Sequence, residues 1–340
     1  MSAHDCVWSD IFDEQSRTNL QFGFLITGAL ATVAGFWLNS VLLLTDLRSD
    51  RSYRNLAFFT FISFVRRAAS IFNFLFVSND YERSIFSKGT YSEKLPRVIS
   101  FFLCKSSSQQ PLVHTTIVSC EFFGFVETFF AVYEYECLTH VCIERYVVAK
   151  YITNGWPIQK NHYILFQGSS LFFSALYAFP PVFGLGRFGL DFSCQSCILD
   201  MVLTETWDRY VTLTIFLLRS VKSTGFIVTM LVWARNLEAK FEASPELLQQ
   251  KRFTESVVIM TVANIMCWLP IALIRGWVLT SQVLAGDDLV KPSATVLQLA
   301  IWLQWAAPAF TTAAMFFYDE RIHKKMVGDR CNKEELSKKE

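Results

Sequence analysis

The chain has 340 residues; 52% of them are hydrophobic and 18% are charged, whereas an average soluble domain carries about 25% charged residues. With 33 phenylalanines, this composition predicts a protein whose main solvent is lipid. The formal net charge of +1 excludes the strongly basic surface of a nucleic-acid-binding protein, and nine scattered cysteines are too few for a disulfide scaffold.

Seven stretches are long enough to cross a bilayer, for which a helix needs about 20 mostly apolar residues. An N-terminal segment, 1–20, precedes them, and short polar connections join them, apart from a long loop at 79–114. We therefore expect an all-α bundle of seven transmembrane helices over 21–318. The predicted spans are 21–45, 55–78, 115–149, 162–186, 209–235, 253–280 and 293–318.

The distribution of lysine and arginine predicts the orientation of these spans. If the N-terminus lies outside, the inner loops and tail carry 17 basic residues and the outer segments carry nine. Because basic residues are enriched on the cytoplasmic side of membrane proteins, we expect an extracellular N-terminus and a multi-pass protein of the plasma membrane.

Polar residues occur within the first two spans. The first contains the stretch GFWLN, which ends at Asn39, and the second contains Arg66 and Arg67. Ionisable residues inside a membrane span are expected to face the bundle interior or a water-filled cavity, because their exposure to lipid is unfavourable.

The third span, CEFFGFVETFFAVYEYECLTHVCIERY, is acidic for a membrane helix. At the helical period, Cys120, Glu127 and Glu134 lie within about 40° of one another, and Arg145 returns to the same stripe. This stripe is predicted to face the bundle interior. Glu136 falls on the opposite side, and the sequence predicts no role for it.

Further motifs follow along the chain. The third span closes with ERY at 144–146, the fourth runs into FPPVFGLGRFGLDFSCQSCILD, and the sixth carries CWLP at 267–270. Together with GFWLN, these motifs resemble the rhodopsin-like (class A) G-protein-coupled receptors, and the fourth-span motif resembles the opsins. Cys120 lies 24 residues before the first residue of ERY, which is the family's spacing between its outer disulfide cysteine and this triplet. The resemblance covers residues 21–330.

The resemblance implies two structural features. Cys120 and Cys197 would form a disulfide in the oxidising outer space, although Cys194 is a rival partner by proximity in sequence. Pro270 would bend the sixth helix and act as a hinge, because proline removes a backbone hydrogen bond.

The resemblance also implies a switch that meets a heterotrimeric G protein, formed by Glu144, Arg145 and Tyr146. In the family's resting state the acidic residue of this triplet holds the arginine, and an acid from the sixth helix strengthens the restraint. Gln250 stands at the position of that second acid, so the resting restraint is predicted to be weaker here.

The seventh span departs from the opsin pattern. Opsins bind retinal through a lysine seven residues before a conserved-motif proline; here that proline is Pro308, and Ile301 stands at the lysine position. The carboxylate that balances the retinal cation in vertebrate pigments aligns with Phe123. An alternative counterion in the outer loop survives as Asp191, for which a solvated loop residue is the favoured interpretation. The resemblance places Ile301, Phe123 and Asp191 in the predicted ligand pocket. The resemblance thus implies a receptor without covalent retinal, with non-covalent retinal among its candidate ligands.

The predicted ligand pocket carries charges of its own. By resemblance, Glu127 lies at the depth where amine receptors bind their ligand, and Lys222 faces the far end of the cavity. Arg275 lies two turns from Trp268 on the same face of the sixth helix. Two interpretations stay open: Glu127 pairs with Lys222 or Arg275 as a dry salt bridge, or these groups hold a polar, zwitterionic ligand between them.

A second charged site is predicted deeper in the bundle. The family's aspartate in the middle of the second helix aligns with Val65, next to Arg66 and Arg67. Glu134 would face this neighbourhood. We therefore predict an Arg66–Glu134 ion pair in place of the family's sodium site, and expect poor expression of Glu134→Ala unless Arg66 is also neutralised.

Residues 319–340 are predicted to form a short amphipathic helix on the inner leaflet and a cytoplasmic tail, with Ile322, Met326 and Val327 dipping inward and basic residues meeting anionic lipid. The favoured function is an opsin-like receptor that signals through a G protein in response to a small-molecule ligand. The alternatives are a non-signalling retinoid-binding or isomerising membrane protein and, less favoured, an ion or solute carrier. No enzymatic motif and no metal site are predicted.

Overall fold

A computed structural model describes residues 8, 10–12, 14–86, 113–154, 160–194, 196–201, 205–240, 245–285 and 291–327. Most of the predicted 79–114 loop, the first seven residues and the tail beyond 327 lie outside these residues. Eight α-helices and one two-stranded sheet occur in the described chain. They are α1 (Glu14–Leu44), α2 (Arg51–Phe86), α3 (Val113–Asn154), α4 (Lys160–Ala178), β1 (Phe188–Leu190), β2 (Cys197–Leu199), α5 (Thr206–Glu238), α6 (Pro245–Ala285), α7 (Ala294–Tyr318) and α8 (Glu320–Val327).

Helices α1 to α7 form the predicted seven-helix bundle, and the expectation of an all-α, multi-pass membrane fold is confirmed. Within the described chain, α1, α2, α5, α6 and α7 are long and apolar enough to cross a membrane by length and composition. Helix α3 is not among these five, and its sequence is interrupted by Glu127, Glu134 and Glu136. A helix suits this environment because all its central backbone groups are bonded internally.

One predicted boundary was wrong. The fourth span was expected to continue to residue 186, but α4 ends at Ala178 and a 3₁₀ turn follows at Pro180–Phe183. Two consecutive prolines supply no backbone N–H, and Gly184 closes the turn with φ of 81°, a conformation that favours glycine. Helix α2 contains the whole predicted second span, 55–78, and continues to Phe86.

Helix α3 occupies the centre of the bundle, where it packs against α2, α4 and α5, while α7 packs between α1 and α6. Strands β1 and β2 pair antiparallel, with Gly189 opposite Ile198, and cover one end of α3. We call this end of the bundle the hairpin end. Gly124 permits the close contact, because a Cβ at this position would lie only 2.8 Å from Cβ of Phe188.

The opposite end of the bundle is closed by α8, and we call it the α8 end. Ile322 and Met326 are buried in the core between the helices, as expected for an amphipathic helix, but Val327 is 48% exposed. The side chain of Asp319 caps α8 by accepting a hydrogen bond of 2.9 Å from the backbone N–H of Ile322. Burial raises the pKa of the Asp319 carboxyl, although this N–H and the hydroxyl of Tyr53 donate to it.

Candidate functional site

The predicted stripe of acids on α3 meets a cation from α2. Arg66 Nη1 lies 2.7 Å from Glu134 Oε2, and Arg66 Nη2 lies 3.1 Å from Glu127 Oε1. Ser63 donates a hydrogen bond of 2.6 Å to Glu134, and Ser70 donates one of 2.6 Å to Glu127. We call these five residues the Arg66 cluster. Its charged members are buried, so the hydrogen bonds replace the water that the charges lose.

One expectation about this cluster was wrong. Glu127 was expected to pair with Lys222 or Arg275 if it formed a dry salt bridge, but its partner is Arg66. The indole ring of Trp268 covers the other side of the guanidinium, with Arg66 Cζ 4.2 Å from the ring centroid. The neighbouring Arg67 donates a hydrogen bond of 2.5 Å to the carbonyl of Trp305.

The Arg66 cluster forms part of the wall of a cavity of about 560 Å³. This volume lies within the range of small-molecule binding sites, roughly 300–1,000 Å³. Five residues of the predicted pocket line it: Glu127, Asp191, Trp268, Arg275 and Ile301. Ile301, which stands at the position aligned with the opsins' retinal-binding lysine, is 3% exposed and lines the cavity. The wall is therefore apolar at this position.

Lys222 and Phe123 were also expected in the pocket, but neither lines the cavity. Lys222 Nζ lies 2.8 Å from Glu136 Oε1 and 3.8 Å from the ring centroid of Phe173 on α4. Glu136, which had no predicted role, is thus the partner of Lys222. Phe123 packs edge-on against the neighbouring Phe122.

The triplet at the α8 end lies inside the bundle. Arg145 is 1% exposed, and its Nη2 lies 3.0 Å from Glu144 Oε1. The same nitrogen donates a hydrogen bond of 2.6 Å to Ser52 on α2, and Nη1 donates one of 3.3 Å to Gln250 on α6. The ring of Tyr146 packs against Trp233 of α5, with centroids 5.6 Å apart. These contacts connect α3 with α2, α5 and α6 around one buried cation.

The hairpin is attached to α3 covalently. Cys120 and Cys197 form a disulfide with a Cα–Cα distance of 5.4 Å. The rival partner, Cys194, is also disulfide-bonded, but not to Cys120. The bond holds β2 over the hairpin end of α3, and Asn73 of α2 adds a hydrogen bond of 2.8 Å to the carbonyl of Cys197.

Comparison with known proteins gives relatives in sequence and in fold. No protein-family model matches the chain. The rhodopsin of Psalidodon fasciatus is 27% identical over 177 residues, which are 48% of this chain and 49% of the relative. The blue-sensitive opsin of the same species is 28% identical over 174 residues, 48% of each chain. The crystal structure of squid rhodopsin shares the fold, with a TM-score of 0.64 and 14% identity over 94% of this chain and 87% of that one.

The chain is similar in sequence to opsins and has the fold of squid rhodopsin. The aligned part spans about half the length of the curated relatives. Helix α7 contains no lysine. Pro270 lies inside α6, two residues beyond Trp268 on the cavity wall, where a hinge was predicted.

One cavity residue of the opsin-like chain was missed by sequence reasoning. Arg219 of α5 lines the cavity and repels Arg275 of α6 electrostatically. The sequence did give a signal, because Arg219 is a basic residue in the interior of the predicted fifth span. Among the side chains that the structure describes, no group of three or more His, Cys, Asp or Glu residues is arranged to hold a metal ion.

Proposed function

We propose that this opsin-like protein is a receptor of the plasma membrane that couples a non-covalent ligand in the cavity to a heterotrimeric G protein at the α8 end. The observation that carries the proposal is the position of Arg145, a buried cation held by one carboxylate and two neutral side chains. If α6 moves away from α3, Arg145 loses its hydrogen bond to Gln250 and becomes available to a partner protein. The disulfide at the hairpin end supports an extracellular placement of that end, because disulfides persist in oxidising compartments.

The link between ligand and switch would be α6. Trp268 and Arg275 of α6 line the cavity, and Gln250 of the same helix contacts Arg145. Pro270 removes one backbone hydrogen bond between these regions and makes a bend there less costly. A ligand that shifts the cavity part of α6 would thereby change the distance between Gln250 and Arg145.

Gln250→Ala is expected to raise ligand-independent G-protein activation by about fivefold, because it removes a neutral hydrogen bond worth about 1 kcal/mol from the resting state. Arg145→Ala is expected to abolish activation. The measurement is the rate of nucleotide exchange on purified G proteins with the receptor in lipid nanodiscs. Arg252→Ala is the control, since Arg252 lies on the same helix at the surface. Failure of the wild type to activate any G-protein subtype would favour the non-signalling alternative.

Retinal is expected to form no Schiff base with the wild-type protein. No lysine lines the cavity within the described chain, and Lys222 is bound to Glu136 outside it. We therefore expect no visible absorption band that hydroxylamine bleaches after incubation with 11-cis retinal. Ile301→Lys is the positive control, because it places an amine on the cavity wall. A hydroxylamine-sensitive band in the wild type that disappears in Lys222→Met would contradict the proposal of a non-covalent ligand.

A further inference from the structure

The charges on the cavity wall fall into two groups. In the first group, Arg66 and Arg67 face Glu127 and Glu134, so two cations balance two anions. Arg67 adds to this balance through its electrostatic attraction to both glutamates. This part of the wall is neutral and needs no charge from a ligand.

The second group lies on α5 and α6 and is not balanced. Arg219 and Arg275 both line the cavity, and neither has a hydrogen bond or an ion pair with any of the described residues. The buried Nε of Arg275 also has no hydrogen-bond acceptor. The acid with the largest electrostatic effect on Arg275 is Asp191, which also accepts hydrogen bonds from the backbone N–H and the hydroxyl of Ser193. The acid that attracts Arg219 is Glu136, which is paired with Lys222 outside the cavity. The cavity wall therefore carries four arginines against three carboxylates.

The surroundings of these two arginines are apolar. Phe216 of α5 and Ile271 of α6 line the cavity beside them. The wall also includes Leu217, Leu273 and Trp277, which are 46%, 64% and 64% exposed on the outer surface of the bundle. The cavity thus reaches the lipid-facing surface between α5 and α6, and an amphipathic molecule has a route to it from the bilayer.

We propose that the cavity binds an amphipathic monocarboxylate, with its carboxylate between Arg219 and Arg275 and its apolar chain along the α5 and α6 side chains. A single negative charge would balance the excess of one cation among the residues of the cavity wall. Guanidinium groups suit this ligand because they bind carboxylates through paired, charge-assisted hydrogen bonds. The inference rests on the proposed non-covalent ligand and specifies its chemical class.

The test compares three ten-carbon probes that differ in their polar head group: decanoate, decanamide and decylamine. Each is titrated into the protein in phosphatidylcholine nanodiscs, and binding to empty nanodiscs is subtracted. Decanoate is expected to bind about 10- to 100-fold more tightly than decanamide, because the neutral amide cannot form charge-assisted hydrogen bonds with the arginines. Equal binding of acid and amide, tighter binding of the amine, or no binding of decanoate would each overturn the proposal.

Arg219→Gln and Arg275→Gln should each weaken decanoate binding by about tenfold or more, while the affinity for decanamide stays unchanged. Arg252→Gln, which removes an exposed arginine of α6, is the matched control and should leave both affinities unchanged. If both cavity variants bind decanoate as the wild type does, the proposal is overturned.

A measurement without ligand separates a binding role from a structural one. Because Arg275 has no hydrogen bond or ion pair among the described residues, Arg275→Met should leave the unfolding temperature, measured without added ligand, equal or higher. A marked fall would show that Arg275 supports the fold, and would overturn the proposal. These assays contain no G protein, so carboxylate binding without nucleotide exchange would refute the signalling function alone, and exchange without carboxylate binding would refute only this inference.

Discussion

Arg66→Met is expected to destabilise the protein more than any other single substitution in the Arg66 cluster. The guanidinium lies 2.7 Å from Glu134 and 3.1 Å from Glu127, and all three side chains are buried. Its removal leaves two carboxylates close together in an interior that solvates charge poorly. Breaking a buried ion pair costs about 3–5 kcal/mol, and here one cation serves two anions. We expect little folded Arg66→Met protein at the membrane, measured as the yield of monodisperse protein in detergent.

The contacts change the expectation for Glu134. The sequence alone predicts poor expression of Glu134→Ala, but in that variant Arg66 retains Glu127 as a partner. Its loss of stability should therefore be smaller than that of Arg66→Met.

The control for Arg66→Met is the triple variant Arg66→Met, Glu127→Gln, Glu134→Gln, which removes all three charges and should recover much of the yield. If Arg66→Met folds as well as the wild type, the two carboxylates do not depend on Arg66. If Glu134→Ala loses more yield than Arg66→Met, the assignment of Glu127 as a second partner is wrong.

The sequence predicted the architecture because membrane spans are long and their apolar composition is a strong signal. It also predicted that Cys120 would meet Cys197 and that Arg66 would lie near Glu134, contacts that the structure contains. Both predictions drew on the resemblance to a known family as well as on helical periodicity. Periodicity gives the face of a helix on which a residue lies, so it grouped Glu127 with Glu134.

Periodicity could not place Lys222 and Glu136, because it does not give the rotation of one helix relative to its neighbours. The sequence analysis placed Glu136 on the opposite side of α3 from the acidic stripe and predicted no role for it. In the structure α3 is the central helix, and it packs against α4 and α5 on that side. Glu136 is therefore 2% exposed and meets Lys222, which turns away from the cavity.

Lys222→Met is expected to cause the second large loss of stability. Glu136 accepts hydrogen bonds of 2.8 Å from Lys222 and 2.8 Å from Ser223, and after the substitution only the neutral hydroxyl remains. A buried carboxylate without a cation costs about 3–5 kcal/mol. Glu136→Gln should cost less, because the side chain of Lys222 is 24% exposed and lies over the ring of Phe173, which partly stabilises its charge.

The difference between the two substitutions is the decisive measurement, made as thermal unfolding of each variant in the same lipid. The double variant Lys222→Met, Glu136→Gln should be more stable than Lys222→Met alone, since it removes the unpaired carboxylate together with its partner. Lys324→Met is the surface control: its pair with Glu320 is exposed, and such pairs contribute about 0–1 kcal/mol. If the double variant is as unstable as the sum of the two single variants, Lys222 and Glu136 do not act as a pair. In that case the loss in Lys222→Met comes from its packing against Phe173, and Glu136 has another source of stabilisation.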